Sequence, residues 1–155
     1  MQRQDARAPT AQAPDELTRE VVALATGLVS RMWAHHQARV AEFDLSQPEA
    51  KALLNLEPDC CLSMRELSAV LNANPSNVTV AVGRLEARGL VSRQGADDRR
   101  VRGVLLTAAG AALRRRLEAR LVDDSPAVRG LTSDERLALR EVLLRLEERT
   151  REPTS

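Results

Sequence analysis

In the N-terminal part of the chain, apolar residues recur every three or four positions. This spacing predicts one face of a long α-helix. The apolar positions are Leu17, Val21, Leu24, Leu28 and Met32. Asp15 precedes them in the position of a helix cap, and the helix is predicted to continue to about Phe43.

Three short helices are predicted next. Their start signals are the sequences SQPE from residue 46, SMRE from residue 63 and the pair Asn74-Pro75. Pro58 should end the first of them, and Gly89 should end the third. The apolar positions assigned to the first two helices are Leu53, Leu54, Leu56, Leu67, Val70 and Leu71.

The C-terminal part of the chain predicts a hairpin followed by two helices. The sequences LVSRQ and RGVLL favour strands on either side of a charged, glycine-containing turn. Thr107 should cap a helix that runs to about Asp124, with Leu113, Leu117 and Leu121 along one side. A capping box from Thr132 to Glu135 opens the last helix. Its apolar residues occupy more than one stripe: Leu137, Leu139, Val142, Leu143, Leu144 and Leu146.

The predicted order of two short helices followed by a hairpin is typical of a winged helix-turn-helix, in which the second helix enters the major groove of DNA. On that helix, Ser76, Asn77 and Thr79 are small polar candidates for contacts with base edges. Arg84 and Arg88 lie further along and could reach phosphates or bases. The opposite side, predicted to be buried, carries Val78, Val82 and Leu85.

Composition and charge refine this picture. Trp33 and Phe43 are the only aromatic residues, which favours packed helices over a β-sandwich. The net charge of +1 says nothing about partners, but residues 84–102 hold six arginines against three acids, and residues 42–59 hold five acids against Lys51. This asymmetry favours a DNA-facing side. Arginine supplies 22 of the 23 basic residues, which a GC-rich genome would also explain.

The stretch from residue 63 to residue 113 resembles the MarR (multiple-antibiotic-resistance regulator) family of bacterial transcription factors. The family's wing pattern is matched by Asp98, Arg100, Val104, Leu106 and Thr107, and RLEARGLV at 84–91 matches the end of its recognition helix. The resemblance implies a dimeric winged helix-turn-helix regulator, mainly α-helical with a small β-hairpin wing.

The resemblance also implies roles for the charged residues of the hairpin. Arg100 would enter the minor groove, Asp98 would hold the wing in shape, and Arg99 and Arg102 would be accessory phosphate contacts. A narrow minor groove concentrates negative potential, which a guanidinium matches well. The full set of DNA-binding candidates is Arg65, Ser76, Asn77, Thr79, Arg84, Asp98, Arg99, Arg100 and Arg102.

The chain departs from the family at three positions of the recognition helix. Val80 and Ala81 stand where a basic or polar residue is common, and Gly83 stands where Asp is common. These departures are the only support for an alternative, a protein-interaction module that keeps the fold and has lost DNA binding. No phosphate-cradling glycine loop, HExxH motif or nucleophile–base pair is present, so we expect no enzyme, no metal and no cofactor.

The expected organisation has three parts. Residues 1–14 form a disordered tail, residues 15–45 and 108–150 form a helical dimerisation region, and residues 46–107 form the DNA-binding lobe. The expected partners are a second copy of the chain and double-stranded DNA with a pseudo-palindromic operator. A cytoplasmic protein without a membrane segment is expected.

The family resemblance implies that the regulator responds to a signal, which two groups of residues could receive. Arg31, Trp33 and His36 are candidates for binding a small aromatic or phenolic effector, with Arg39 as a second possible partner of a carboxylate. Alternatively, Trp33 belongs to the dimer core. A cysteine-based redox response through Cys60 and Cys61 is a further alternative, which would need a nearby cation such as Arg65. Metal binding by residues from His35, His36, Glu42, Asp44 and Cys60 lacks any ligand-spacing motif.

Overall fold

The computed structural model describes residues 15–94, 103–123 and 125–151. In the described ranges the element order is α1 (Glu16–Ala41), α2 (Gln47–Asn55), α3 (Met64–Leu71), α4 (Pro75–Ala87), β1 (Val91–Gln94), β2 (Gly103–Leu106), α5 (Ala108–Val122) and α6 (Ser133–Arg151). The predicted fold class, mainly α-helical with a two-stranded antiparallel hairpin, is confirmed. The predicted tail, residues 1–14, lies outside the described ranges.

Hydrogen bonds from capping residues explain where the helices begin. Asp15 accepts the amide of Thr18 at 2.7 Å at the start of α1. The amide of Ser46 donates to the carboxylate of Glu49 at 2.6 Å, and the predicted capping boxes at residues 63 and 132 form in the same way. Each bond satisfies an amide that the first helical turn leaves without a partner.

The C-terminal ends of α1 and α5 lie about two residues before the predicted positions. α1 ends at Ala41 rather than near Phe43, and α5 ends at Val122 rather than near Asp124. Gly89 has a φ of 68° and follows the end of α4, as its position after the helix predicts.

The core lies within the lobe formed by α2, α3, α4 and the hairpin, and α1 and α5 close it from one side. Its largest fully buried side chains are Val40, Leu53, Leu56, Leu67, Val82, Leu85, Val104 and Leu117. Val70 lies in α3 as assigned, but its side chain is 56% exposed, whereas Leu67 and Leu71 are buried. In a helix this short the buried face is narrow, and Val70 lies outside it.

The two long terminal helices contribute little to this core. Val40 is the single buried residue of α1, and no described residue of α6 is buried. The apolar positions that predicted these helices are instead exposed, among them Leu17, Val21, Leu24, Leu137, Leu143 and Leu144. Within the described ranges, no helix has the length and apolar character needed to cross a membrane.

Candidate nucleic-acid interface

The helix α4 presents one side to the core and the other to solvent. Val78, Ala81, Val82 and Leu85 are buried, as a 3.6-residue repeat requires. The four DNA-contact candidates on this helix are all exposed: Ser76, Asn77, Thr79 and Arg84. Asn74 caps the helix by accepting the amide of Ser76 at 2.9 Å, which fixes the backbone at the end that carries most of the candidates.

Shallow depressions flank the exposed side of α4. The one towards α3 has a volume of about 430 Å³, and Arg65 and Thr79 are among its lining residues. The one towards the start of α2 has a volume of about 280 Å³ and is lined in part by Ser46, Asn77 and Arg84. The exposed side of α4 is therefore a ridge between two depressions, and each depression has one arginine in its wall.

The arginines of this region fall into two groups. Arg65 and Arg84 are exposed, and the described part of the chain offers neither an ion pair. Arg93 is paired with Glu86 at 3.1 Å, which joins β1 to α4. Arg65 and Arg84 are thus the cations beside the ridge that remain available to an external anion.

Arg88 has a different role from the predicted one. Its guanidinium donates hydrogen bonds to the carbonyl oxygens of Asp44 at 2.7 Å and Phe43 at 3.1 Å. These contacts tie the end of α4 to the turn after α1, so the prediction that Arg88 reaches DNA is not supported. The sequence could not reveal this, because the acceptors are backbone groups 44 and 45 residues away.

The predicted wing residues, Asp98, Arg99, Arg100 and Arg102, lie outside the described residues. The base of the hairpin is described, with Val91 opposite Leu106 and Gln94 opposite Gly103. Leu62 adds a bridge that the sequence did not predict: the amide of Val104 donates to its carbonyl at 2.8 Å, and its amide donates back at 3.2 Å.

Gly103 is the sequence feature that could have indicated this bridge. A Cβ atom at this position would lie 2.7 Å from the carbonyl oxygen of Leu62 and would also collide with Sγ of Cys61. A glycine within a strand often marks such a close backbone approach. The segment before α3 therefore supports the hairpin at its base.

The structure brings together two of the three effector candidates. The rings of Trp33 and His36 are stacked, with centroids 5.9 Å apart, and His36 Nδ1 lies 3.1 Å from Oε1 of Gln47. Both rings line a cleft of about 450 Å³ between α1 and the lobe. Asn77 and Val78 of α4 line the same cleft.

The remaining effector candidates do not line this cleft. The guanidinium of Arg31 lies beside Gly27 on its own helix, and Arg31 is not among the residues that line the cleft. Arg39 is paired with Glu42 at 2.6 Å. Lys51 is the one lysine or arginine among the residues that line the cleft, and none of them is an aspartate or glutamate.

The two cysteines lie in the loop before α3 as free thiols, Cys60 exposed and Cys61 half-buried. Burial raises the pKa of the Cys61 thiol, and the neighbouring Cys60 and Glu66 raise it further. A raised pKa lowers the fraction of reactive thiolate at neutral pH. The environment of Cys61 therefore does not favour the redox alternative.

The histidines and acids considered for a metal site make other contacts. His35 Nε2 donates to the carbonyl oxygen of Leu121 at 3.2 Å. Glu42 accepts hydrogen bonds from Arg120 at 3.0 and 3.2 Å, which lower the pKa of its carboxyl. Across the described ranges, no three His, Cys, Asp or Glu side chains lie together as metal ligands.

The three departures from the family pattern do not carry equal weight. Ala81 is 3% exposed and packs in the core, so a charged residue there would be excluded by burial. Val80 and Gly83 lie on the side of α4 that faces away from the core. Of the three departures, only Val80 and Gly83 can therefore affect which molecule α4 contacts.

Sequence comparison matches a model of the MarR family to residues 44–101 of the chain. This stretch contains α2, α3, α4 and β1, and it includes the ridge and both of its flanking arginines. No curated protein sequence is significantly similar to the chain.

Solved structures of this family resemble the chain along most of its length. A MarR-family transcriptional regulator from Silicibacter pomeroyi is 26% identical, with a TM-score of 0.63 over 90% of this chain and 95% of that one. A MarR family protein from Bacillus stearothermophilus is 23% identical, with a TM-score of 0.74 over 89% and 99%. Apo MarR from E. coli is 23% identical, with a TM-score of 0.66 over 86% and 98%.

Proposed function

We propose that this chain, which belongs to the MarR family of transcriptional regulators, is a sequence-specific DNA-binding regulator that acts as a homodimer and is released from its operator by a small ligand. In this proposal α4 enters the major groove and the hairpin formed by β1 and β2 reaches the adjacent minor groove. The proteins to which the chain is similar make a non-enzymatic regulator the expected class.

The observation that carries the DNA-binding proposal is the ridge of α4 with an arginine in each flanking depression. A helix seated in the major groove has a phosphate backbone on either side of it. Arg65 and Arg84 stand on the two sides of the ridge and have no acidic partner in the described ranges. Guanidinium groups in these positions suit contacts with phosphate oxygens, which position the protein on the duplex.

The dimer proposal is supported by the exposed apolar surface of α1 and α6. Leu17, Leu137 and Leu143 are each more than half exposed, and each lies on a terminal helix outside the core of the lobe. Apolar surface on this scale is typical of a protein–protein interface. A two-fold dimer would present two copies of α4 to two half-sites of a pseudo-palindromic operator.

The test of DNA binding is a titration of full-length protein with the DNA upstream of its own gene and with unrelated DNA of equal length, across a salt series. We expect preferential binding to the first. Arg65→Ala, Arg84→Ala and Arg100→Ala should each weaken binding. Each should also reduce the slope of log affinity against log salt by about 1 for every phosphate that the variant no longer neutralises.

Arg115→Ala is the matched control, because Arg115 is an exposed arginine on α5, outside the lobe. It should leave both the affinity and the slope unchanged. If the wild-type protein binds no DNA even at low salt, the proposal fails, since non-specific phosphate contacts alone would register there.

The ligand-release part of the proposal is supported by the position of the cleft. Trp33 and His36 offer a stacked aromatic surface, and Asn77 and Val78 of α4 line the same cleft. A flat aromatic ligand held there would contact the recognition helix itself. In this proposal the ligand binds best when α4 is displaced from its DNA-bound position, and this difference in affinity shifts the population towards the released form.

Trp33 is the only tryptophan, so its fluorescence reports on the cleft directly. Titration with benzoate and with phenol as probes should quench this fluorescence and, at the same concentrations, dissociate the DNA complex. His36→Ala should weaken both effects, whereas Arg31→Ala should change neither because Arg31 lies outside the cleft. Dissociation of DNA without any change in Trp33 fluorescence would place the ligand elsewhere and contradict this part of the proposal.

A further inference from the structure

The outermost row of α4 consists of small or apolar residues. Ser76, Val80, Gly83 and Ala87 follow one another at intervals of three or four, on the side opposite the buried Val82 and its neighbours. Val80 is 55% exposed although its side chain is entirely apolar. The centre of the ridge therefore carries no charged or amide side chain.

The polar candidates beside this row are directed elsewhere. The hydroxyl of Thr79 donates to the carbonyl of Pro75 at 2.8 Å, so its hydrogen is already used within the helix. Asn77 lines the cleft between α1 and the lobe, which Val80 does not, and both residues line the depression towards α2. Ser76 is therefore the main hydrogen-bonding side chain at the centre of the ridge. A molecule that faces the middle of α4 would contact the apolar side chain of Val80.

Gly83 allows the backbone of α4 to approach the bases of DNA closely. It lies one turn after Val80, and, apart from the adjoining residues and backbone of α4 itself, no atom of the described residues lies within 4 Å of the place where its Cβ would be. With no side chain at this point, the backbone of α4 can come nearer to base edges than a larger residue would allow.

In the major groove, the base group that an apolar side chain can recognise is the 5-methyl group of thymine. Most exposed groups of the bases there are hydrogen-bond donors or acceptors, and the 5-methyl group of thymine is the apolar exception. Val80 would gain by burying this methyl group, but it would leave a donor or acceptor of another base without a partner. The preference is therefore for thymine.

We propose that Val80 is a specificity-determining residue that reads the 5-methyl group of a thymine in each operator half-site. DNA is favoured over a protein as the occupant of this surface because Arg65 and Arg84, both positively charged, stand on either side of the apolar row. The inference rests on the proposed DNA-binding function and names the chemistry by which that function becomes specific.

The test starts from duplexes selected by full-length protein from a random library. In the selected site, each thymine is replaced in turn by deoxyuridine, which removes the methyl group and preserves base pairing. At one position per half-site the affinity should fall about four-fold, as expected when one CH₂-sized group is no longer buried. Replacement in both half-sites should give about the square of that factor.

Two variants test whether Val80 causes the difference in affinity between the thymine and deoxyuridine duplexes. Val80→Ala should bring the affinities for the thymine and deoxyuridine duplexes to within a factor of about 1.5 of each other, because the shortened side chain no longer reaches the methyl group. Ser76→Ala, in the same row, should retain the full discrimination. Both positions are exposed, so neither variant disturbs the core.

The outcomes separate the inference from the function on which it rests. Strong sequence selection with no position at which deoxyuridine lowers the affinity overturns the role of Val80 and leaves the DNA-binding proposal standing. Loss of discrimination in Ser76→Ala but not in Val80→Ala also overturns it. Absence of DNA binding at low salt overturns both.

Discussion

At the scale of single residues, Arg84 in α4 and Arg88 at its C-terminal cap are two arginines with different contacts. They are four positions apart and both exposed, and the sequence treats them alike. Arg84 lines the depression beside the ridge, whereas Arg88 donates to the carbonyls of Phe43 and Asp44. The first is placed for an external partner, and the second holds the lobe to the end of α1.

Arg88→Ala should therefore lower the free energy of unfolding by about 1–2 kcal/mol, because two carbonyl acceptors are left without their charged donor. Arg84→Ala should leave that free energy within about 0.5 kcal/mol of the wild type, since Arg84 forms no ion pair with the described residues. Urea denaturation of the two variants measures both values. Equal destabilisation by both substitutions would show that Arg88 has no special structural role.

At the scale of secondary-structure elements, two glycines in helices have opposite consequences. Gly83 on α4 faces open space, whereas a Cβ at Gly110 on α5 would collide with the backbone carbonyl of Leu90. Gly110 thus permits α5 to pack directly against the chain segment that leads into β1.

Gly83→Ala should raise the free energy of unfolding by about 1 kcal/mol, which is the difference in helix propensity between the two residues. Gly110→Ala should lower it by about 1–3 kcal/mol, because α5 must move away to make room for the added methyl group. Thermal denaturation followed by circular dichroism compares the two variants. The same sign of change for both would contradict this assignment.

The capping boxes should make the helices sensitive to acid. Hydrogen bonds from Ser63 hold the pKa of Glu66 below its ordinary value, and Thr132 does the same for Glu135. A carboxyl whose pKa is lower in the folded than in the unfolded protein stabilises the fold above the unfolded value. That contribution disappears as the pH falls through the folded pKa.

The free energy of unfolding should accordingly decrease as the pH falls from about 5 to about 3. In Glu66→Gln the decrease should be smaller, because glutamine keeps the capping geometry and does not titrate. Urea denaturation at a series of pH values measures the two slopes. Identical slopes in the wild type and the variant would rule out a contribution from the box at residue 63.

At the scale of the whole molecule, the lobe has a complete core and the terminal helices do not. No described residue of α6 is buried, and α1 buries only Val40. Burial of their apolar side chains requires a further surface, for which the dimer proposal supplies a second copy of the chain.

Leu143→Glu should convert the protein from a dimer to a monomer at micromolar concentration, because it places a charge in the proposed interface. Operator affinity should fall with it, since a monomer contacts one half-site only. Sedimentation equilibrium measures the mass, and Glu148→Gln, an exposed polar position on the same helix, is the control. A wild-type protein that is monomeric throughout this range would contradict the dimer.

The sequence by itself determined the order of the elements, the starts of the helices and the buried side of α4. Capping boxes and the 3.6-residue repeat act over a few neighbouring positions, so they can be recognised without knowing the rest of the fold. The wing pattern at Asp98 and Arg100 indicated the resemblance to the MarR family in the same local way.

Only the tertiary structure decided which of several equivalent residues meet a distant partner. In the folded chain Val70 is exposed, Arg88 donates to the carbonyl of Phe43, Leu62 pairs with Val104, and Trp33 and Asn77 line one cleft. Each of these outcomes depends on groups brought together from far along the chain, several of them backbone atoms that every residue possesses. Local sequence patterns do not encode such contacts, because they arise only when the elements pack against one another.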